Sequence, residues 1–314
     1  MFSVIIPVYN GEKFIDNAIE SVFAQTCNDW ELVIVDDGSK DDTLSVLQKY
    51  ESDPRVHIVS QPNAGVSAAR NTAASHASGS HLAFLDADDV WHSDHLETMA
   101  ELIDRYPSAG LYATFTRAEL VNGNIIEECN FFKDKPQELI LEDFFESYHK
   151  DKSAKMFTVI TTCIRADAFK KAGGFPVGCK IGEDLELSLV VAAYYPVVLC
   201  AKATATYKKE NSTATKDVSF DADWGFFHRV QALYSDETIP LQKRKNLQRV
   251  MEWFTMRRCR HYLIDGRRKE ALAAYHSMDK SVVGKKDTLI NAVLLALPGC
   301  VVKKVFELRW RGKA

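Results

Sequence analysis

The chain has 314 residues, 46% apolar and 26% charged, the balance of an ordinary globular protein with room for one large domain or one domain plus an appendage. Its seven cysteines are scattered without paired spacing, which argues against a disulfide framework or a zinc site and fits a reducing cytosol. The net charge of −4 is unevenly spread: residues 1–240 carry −16 and residues 241–314 carry +12, so the tail is expected to face an anionic partner such as a membrane, polyphosphate or nucleic acid.

Val4-Ile5-Ile6-Pro7-Val8-Tyr9 reads as a first buried strand with no secretion signal before it. The Asn10-Gly11 turn leads into a helical period running from Glu12 to Gln25. Trp30 to Val35 is a second strand, ending in Asp36-Asp37-Gly38-Ser39, and Asp41 to Tyr50 is a short helix. Val56 to Val59 is a third strand, Val66 to His76 a helix, Leu82 to Leu85 a fourth strand and His95 to Tyr106 a further helix. Strands and helices alternating over short connections predict an α/β fold, a mostly parallel sheet flanked by helices. Beyond Pro107 the pattern loosens. Strands are expected at Leu111 to Phe115 and Val159 to Ile164, reversed relative to their neighbours, with a helix at Ile140 to Tyr148. Gly173-Gly174-Phe175 reads as a turn, Gly182-Glu183-Asp184 opens an apolar helix, and Val197 to Cys200 is one more strand. Helical periodicity resumes from Ser219, which divides the chain at about residue 217 into a main domain, 1–217, and a basic helical C-terminal extension, 218–314.

The chemistry gathers where apolar runs end in acids. Asp86, Asp88 and Asp89 follow the fourth strand at its carboxyl end, the edge of a parallel sheet where ligands bind. Carboxylates this close repel one another unless a cation relieves them, and a hard ion with oxygen ligands, Mg²⁺ or Mn²⁺, suits them. An Asp-rich helix cap is the equal alternative. Asp36 and Asp37 end the second strand on the same rim, where they form a tight turn or accept hydrogen bonds from a base or ribose. Asn63 to Asn71 offers a helix N-terminus with small residues, where Arg70 pairs with a phosphate or merely decorates a surface helix cap. Glu183 and Asp184, taken alone, read first as favourable charge at a helix N-terminus. His92 and His95 read as exposed residues at a helix cap.

Taken in order, Val-Ile-Ile-Pro-Val-Tyr-Asn at 4–10, Val-Asp-Asp-Gly-Ser at 35–39, Asn-x-Gly-x-Ser-x-Ala-Arg-Asn at 63–71, Asp-Ala-Asp-Asp at 86–89 and Gly-Glu-Asp at 182–184 resemble the inverting nucleotide-sugar glycosyltransferases of family 2. The resemblance covers roughly residues 1–210 and implies the glycosyltransferase A fold. It further implies a metal-dependent transfer from a nucleotide sugar, most simply a UDP-sugar, to a hydroxyl of a glycan or lipid-linked acceptor in surface polysaccharide synthesis. By that resemblance Pro7, Val8 and Tyr9 line the nucleotide pocket and Asp37 reads the uracil ring. Asn63, Gly65, Arg70 and Asp86 belong to the donor site, Asp88 or Asp89 holds Mn²⁺ or Mg²⁺, and Asp184 is the general base beside Glu183. The Gln-x-x-Arg-Trp motif of the processive membrane synthases is missing. A sugar nucleotidyltransferase is disfavoured because Tyr9-Asn10-Gly11-Glu12 is not a Gly-rich basic loop; a nucleotide-sugar-binding protein without catalysis is disfavoured by the retained acids.

Residues 289–302 are apolar, flanked by Lys285, Lys286, Lys303 and Lys304, and interrupted by Pro298-Gly299 well short of the ~20 residues a membrane span needs. Two readings stand equal: a helix lying in an anionic membrane interface, or a helix packed on the main domain. No nucleic-acid module accompanies the basic charge. The expected location is cytoplasmic, and under the first of these readings peripheral on the membrane's inner face.

Overall fold

The structure, a computed structural model, describes residues 1–119, 125–126, 132, 135–151, 158–179, 182–208, 226–283, 285–298, 301–302 and 304. The chain begins with β1 (Phe2–Val8), α1 (Ile15–Phe23), β2 (Trp30–Asp36), α2 (Thr43–Leu47), β3 (Val56–Ser60), α3 (Val66–His76) and β4 (His81–Phe84). Both β1 and β2 are buried along their whole length, as continuous apolar runs must be when helices cover both faces of a sheet. Alternate residues then serve two cores. Ile5, Val33, Val35 and Phe84 face α3, while Val4, Ile6, Leu32 and Ile34 face Ile15, Ile19 and Val22 of α1. Each such side chain contributes roughly 1.5–3 kcal/mol by leaving water.

Parallel register decides where the chemistry sits. β1 pairs with β2 from Phe2↔Trp30 to Val8↔Asp36, β2 pairs with β3 as far as Asp36↔Ser60, and β1 pairs with β4 up to Ile5↔Phe84. The carboxyl ends of these strands therefore open on one rim.

The chain continues through β5 (Val90–Trp91), α4 (His95–Arg105), β6 (Leu111–Glu119), β7 (Ile125–Ile126), β8 (Glu138–Leu141), α5 (Phe144–Asp151), β9 (Thr162–Arg165), α6 (Ala166–Ala172), α7 (Glu183–Tyr194) and β10 (Val197–Lys208). The sheet runs β3-β2-β1-β4-β9-β6-β10-β5, with β7 on β6 and β8 on β10. As expected, a strand near 159–164 is reversed: β9 is antiparallel to both β4 and β6. It begins only at Thr162, because residues 159–161 form a 3-10 turn closed by reciprocal Thr158 and Thr161 hydrogen bonds. The helix expected from Ile140 splits instead. Glu138–Leu141 pairs antiparallel with Val197–Cys200, and the helix starts at Phe144. Free backbone donors on the edge of β10 decide this, and local periodicity does not see them.

α8 (Phe226–Ala232), α9 (Leu241–Ile264), α10 (Arg268–Ser277) and α11 (Lys285–Ala296) follow among the described residues. The boundary expected at residue 217 lies outside the described residues. Val230, Leu233, Leu247, Val250 and Phe254 join the same core as β1 and α7, so the first part of the extension packs on the main sheet. Cys259, Leu263, Ala271, Leu294 and Leu295 make a separate small core.

Candidate active site

The rim is built from loops that hold one another. The Asp36 carboxylate accepts the Ser39 N–H at 3.1 Å, closing the turn after β2. Asp37 is 3% exposed, and its carboxylate accepts Gln61 Nε2 at 2.7 Å, Ala64 N at 2.9 Å and Gly65 N at 2.8 Å. The Asn63 side chain returns a bond to the Asp37 carbonyl at 3.0 Å. Asp37 thus pins the loop entering α3; of the roughly four lone-pair sites on a carboxylate, three are taken. Gly38 makes the close approach possible: at φ +77° a Cβ would lie 2.9 Å from the Asn63 nitrogen. Pro7 and Val8 are buried within β1, whereas Tyr9 stands 47% exposed, and Asn63 and Gly65 are exposed as well. Tyr9, just past the carboxyl end of β1, and Asn63 to Val66, at the entry to α3, are therefore open to solvent.

Arg70 lies neither on the surface nor at a cap: it is 2% exposed. Its guanidinium donates from Nη2 to Asp86 at 2.7 Å and from Nη1 to Glu183 at 3.0 Å. Burial opposes its charge, but Asp86 and Glu183 more than offset this and raise its proton affinity. One side chain from α3 thereby joins the acid after β4 to the acid opening α7, positions 113 residues apart from Arg70 in the latter case.

The acids on this arginine differ in state. Burial, followed by the charge of Asp184, raises the pKa of Glu183, and Arg70 opposes both. Burial also raises Asp184; Arg70 lowers it and Asp86 raises it further. The Asp184 Oδ1 accepts the N–H of Leu185 at 2.7 Å, at the start of a helix whose N-terminus favours the ionised form. Arg70 makes its hydrogen bonds to Asp86 and Glu183 and not to Asp184, which leaves Asp184 half-buried and chemically distinct from its neighbour.

Asp86 to Asp89 form a turn closed by the Asp89 N–H on the Asp86 carbonyl at 3.1 Å. Asp89 points inward, 2% exposed, while Asp88 is half-buried. Burial raises the pKa of Asp88, the Asp86 charge raises it further, and no cationic side chain among the described residues counters them. Among the described residues no three His, Cys, Asp or Glu side chains converge on one metal position. Asp88 with Asp86 nearby still fits a Mg²⁺ or Mn²⁺ ion of the kind that takes one or two carboxylates and completes its shell with substrate phosphates.

The histidines expected to be exposed are otherwise. His95 is fully buried, stacked on Trp91 at 4.1 Å, with Nδ1 2.7 Å from Thr204 Oγ1; burial depresses its pKa to about 3. His92 bonds Thr206 Oγ1 at 3.0 Å. Together they anchor the segment after Asp89 to β10. Sequence reasoning also missed Phe175, whose ring carries the Arg70 guanidinium at 5.1 Å; the Gly173-Gly174 turn before it was its only signal.

Comparison with known proteins follows this geometry. The family model described as glycosyl transferase family 2 matches residues 3–172, more than half of the chain. Glycosyltransferase GlyA of Streptococcus pneumoniae is 32% identical over 187 residues, covering 58% of this chain and 26% of that protein. The Escherichia coli protein WfgD, named a UDP-Glc:α-D-GlcNAc-diphosphoundecaprenol β-1,3-glucosyltransferase, is 37% identical over 127 residues, covering 40% of this chain and 49% of its own. The chain thus spans a quarter to a half of these relatives. Among solved structures, Staphylococcus aureus TarS 1-349 in complex with UDP superposes with a TM-score of 0.69 at 19% identity, covering 99% of this chain and 92% of that one, a likeness of fold.

Proposed function

The chain belongs to glycosyl transferase family 2, and from that membership we propose that it moves a sugar from a nucleotide-sugar donor, a UDP-sugar, to a hydroxyl of a glycan or lipid-linked acceptor, with inversion. The observation that carries this reading is the buried Arg70 bridge, which brings Asp86 and the Glu183-Asp184 pair to one point on the rim. An in-line displacement needs opposite groups at such a point, one for the departing phosphate and one for the incoming hydroxyl.

The roles follow from the states of the residues. Exposed Tyr9, Asn63 and Gly65 would border the nucleotide, and Asp37, which shapes the loop entering α3, would read its base. Asp88, and not inward-facing Asp89, is the acid that would hold a divalent ion; when bound, that ion compensates the charge on the leaving diphosphate. Asp184 is the base. Burial gives it a higher proton affinity than an ordinary Asp, which favours taking a proton from a hydroxyl. As the acceptor oxygen bonds to the anomeric carbon, the bond from that carbon to the diphosphate oxygen breaks. Asp184 keeps the hydroxyl proton and the nucleoside diphosphate departs. Glu183, held by Arg70, orients the helix start.

The basic extension suits an anionic membrane surface carrying the acceptor. α11 turns Leu294 and Leu295 inward and leaves Leu289 64% and Val293 50% exposed, an apolar edge on a strongly basic segment. No helix among the described residues is long and apolar enough to cross a membrane. The function is tested by incubating the protein with Mn²⁺ and a panel of nucleotide sugars and measuring nucleotide release. Metal-dependent release from one donor is expected, and none from any donor refutes the proposal.

A further inference from the structure

Phe175 and Asn71 belong to none of the roles above, yet they lie directly under the arginine on which the site depends. The Asn71 side chain grips the Phe175 backbone twice, donating from Nδ2 to its carbonyl at 2.8 Å and accepting its N–H on Oδ1 at 2.8 Å. The preceding Gly174, at φ +71°, passes so close that a Cβ would sit 2.6 Å from Asn71 Oδ1. From the other side Arg229 of α8 donates to the carbonyls of Ala172 and Gly174 and pairs with buried Glu186 of α7 at 2.8 Å. The turn at 172–175 is therefore held between α3 and α8.

This grip fixes an aromatic ring. Phe175 is 2% exposed; its ring meets Phe84 edge to face at 5.2 Å and Phe169 at 5.8 Å, and it faces the Arg70 guanidinium at 5.1 Å. Arg70 Nε is buried without a hydrogen-bond partner among the described residues, whereas two carboxylates and this ring hold the rest of the guanidinium. We infer that Phe175, clamped by Asn71, is a positioning residue: its ring face sets the plane of Arg70 and thereby the placement of the first turn of α7. The ring's negative face attracts a guanidinium, which an aliphatic side chain of similar size does not.

The inference rests on the transferase reading of the site, and its test separates the two. Amide hydrogen exchange is followed at residues 185–188 in the full chain. Phe175→Leu is expected to speed exchange there at least tenfold, whereas Phe175→Tyr, which keeps the ring face, stays within threefold of wild type. Phe169→Leu removes a ring that packs on Phe175 but, among the described residues, does not lie against the Arg70 guanidinium, and it should leave these amides unchanged even if it lowers the melting temperature. Asn71→Ala leaves the core side chains in place and carries the same test should Phe175→Leu not fold. Unchanged exchange in Phe175→Leu and Asn71→Ala, or equal acceleration in Phe169→Leu, overturns the positioning role. Nucleotide release from UDP-glucose, UDP-galactose and UDP-N-acetylglucosamine is the second readout. Phe175→Leu should lower kcat at least tenfold with the donor KM within twofold, and a loss confined to KM overturns it. If the wild type releases no nucleotide, the transferase reading fails while the exchange data still decide the positioning role.

Discussion

Replacing Arg70 by Met probes the centre of the site. The side chain is 3% exposed, and its partners Asp86 and Glu183 are 30% and 16% exposed. Breaking a buried ion pair by removing one member typically costs about 3–5 kcal/mol, because the remaining charge is left without compensation. Here Asp86 keeps access to water and rehydrates, so the low end, about 3 kcal/mol, is expected at neutral pH. The loss should depend on pH. Arg70 lowers the pKa of Glu183, so without it the folded-state pKa rises further above the unfolded value. A carboxylate with a raised folded pKa binds more protons in the native state, and the native state gains stability as pH falls through that pKa. The penalty of Arg70→Met is therefore largest at neutral and alkaline pH and shrinks as the medium is acidified through the carboxylate range. Urea unfolding at several pH values measures this directly. A penalty below about 1 kcal/mol at neutral pH, or one that grows on acidification, refutes the buried bridge.

Asp184→Asn keeps shape but removes the proton acceptor; donor binding should persist while transfer falls by about 10²-fold or more, and near-normal turnover refutes the base. In the wild type the rate should climb with pH across a range above that of an ordinary Asp, because burial raises Asp184, and a rate already flat at pH 4 contradicts this. Asp88→Asn should weaken Mn²⁺-dependent binding of the nucleotide sugar much more than it changes stability, since Asp88 has no cationic partner to lose among the described residues; unchanged metal dependence in calorimetry removes the role. Leu289→Asp combined with Val293→Asp should abolish salt-sensitive co-sedimentation with phosphatidylglycerol vesicles, and equal retention of variant and wild type makes α11 a purely structural helix.

Much of the fold was legible in the chain because its signals are local. Apolar runs such as Val4 to Val8 and Leu32 to Val35 can be stable only as strands covered on both faces, and strands joined through helices must run parallel. Parallel strands share a polarity, so the acids following β2 and β4 had to lie at one rim, and Asp37, Asp86 and Asp88 could be placed there as candidates without coordinates. The family followed from the order of those motifs.

Tertiary structure alone decided what those residues touch. Arg70 reads equally as a phosphate ligand or a surface cap, because its partner Glu183 is 113 positions away and leaves no mark on local spacing. The Asn71 grip on Phe175 spans 104 positions, and the burial of His95 depends on Thr204 from β10. Glu138 to Leu141 became an edge strand because β10 offered backbone groups to pair with, and α11 packs Leu294 and Leu295 into a core with α9 and α10 while Leu289 and Val293 stay exposed. In each case the deciding energy comes from a neighbour distant in sequence: desolvation of a charge, pairing of a carboxylate, or a backbone hydrogen bond to another strand.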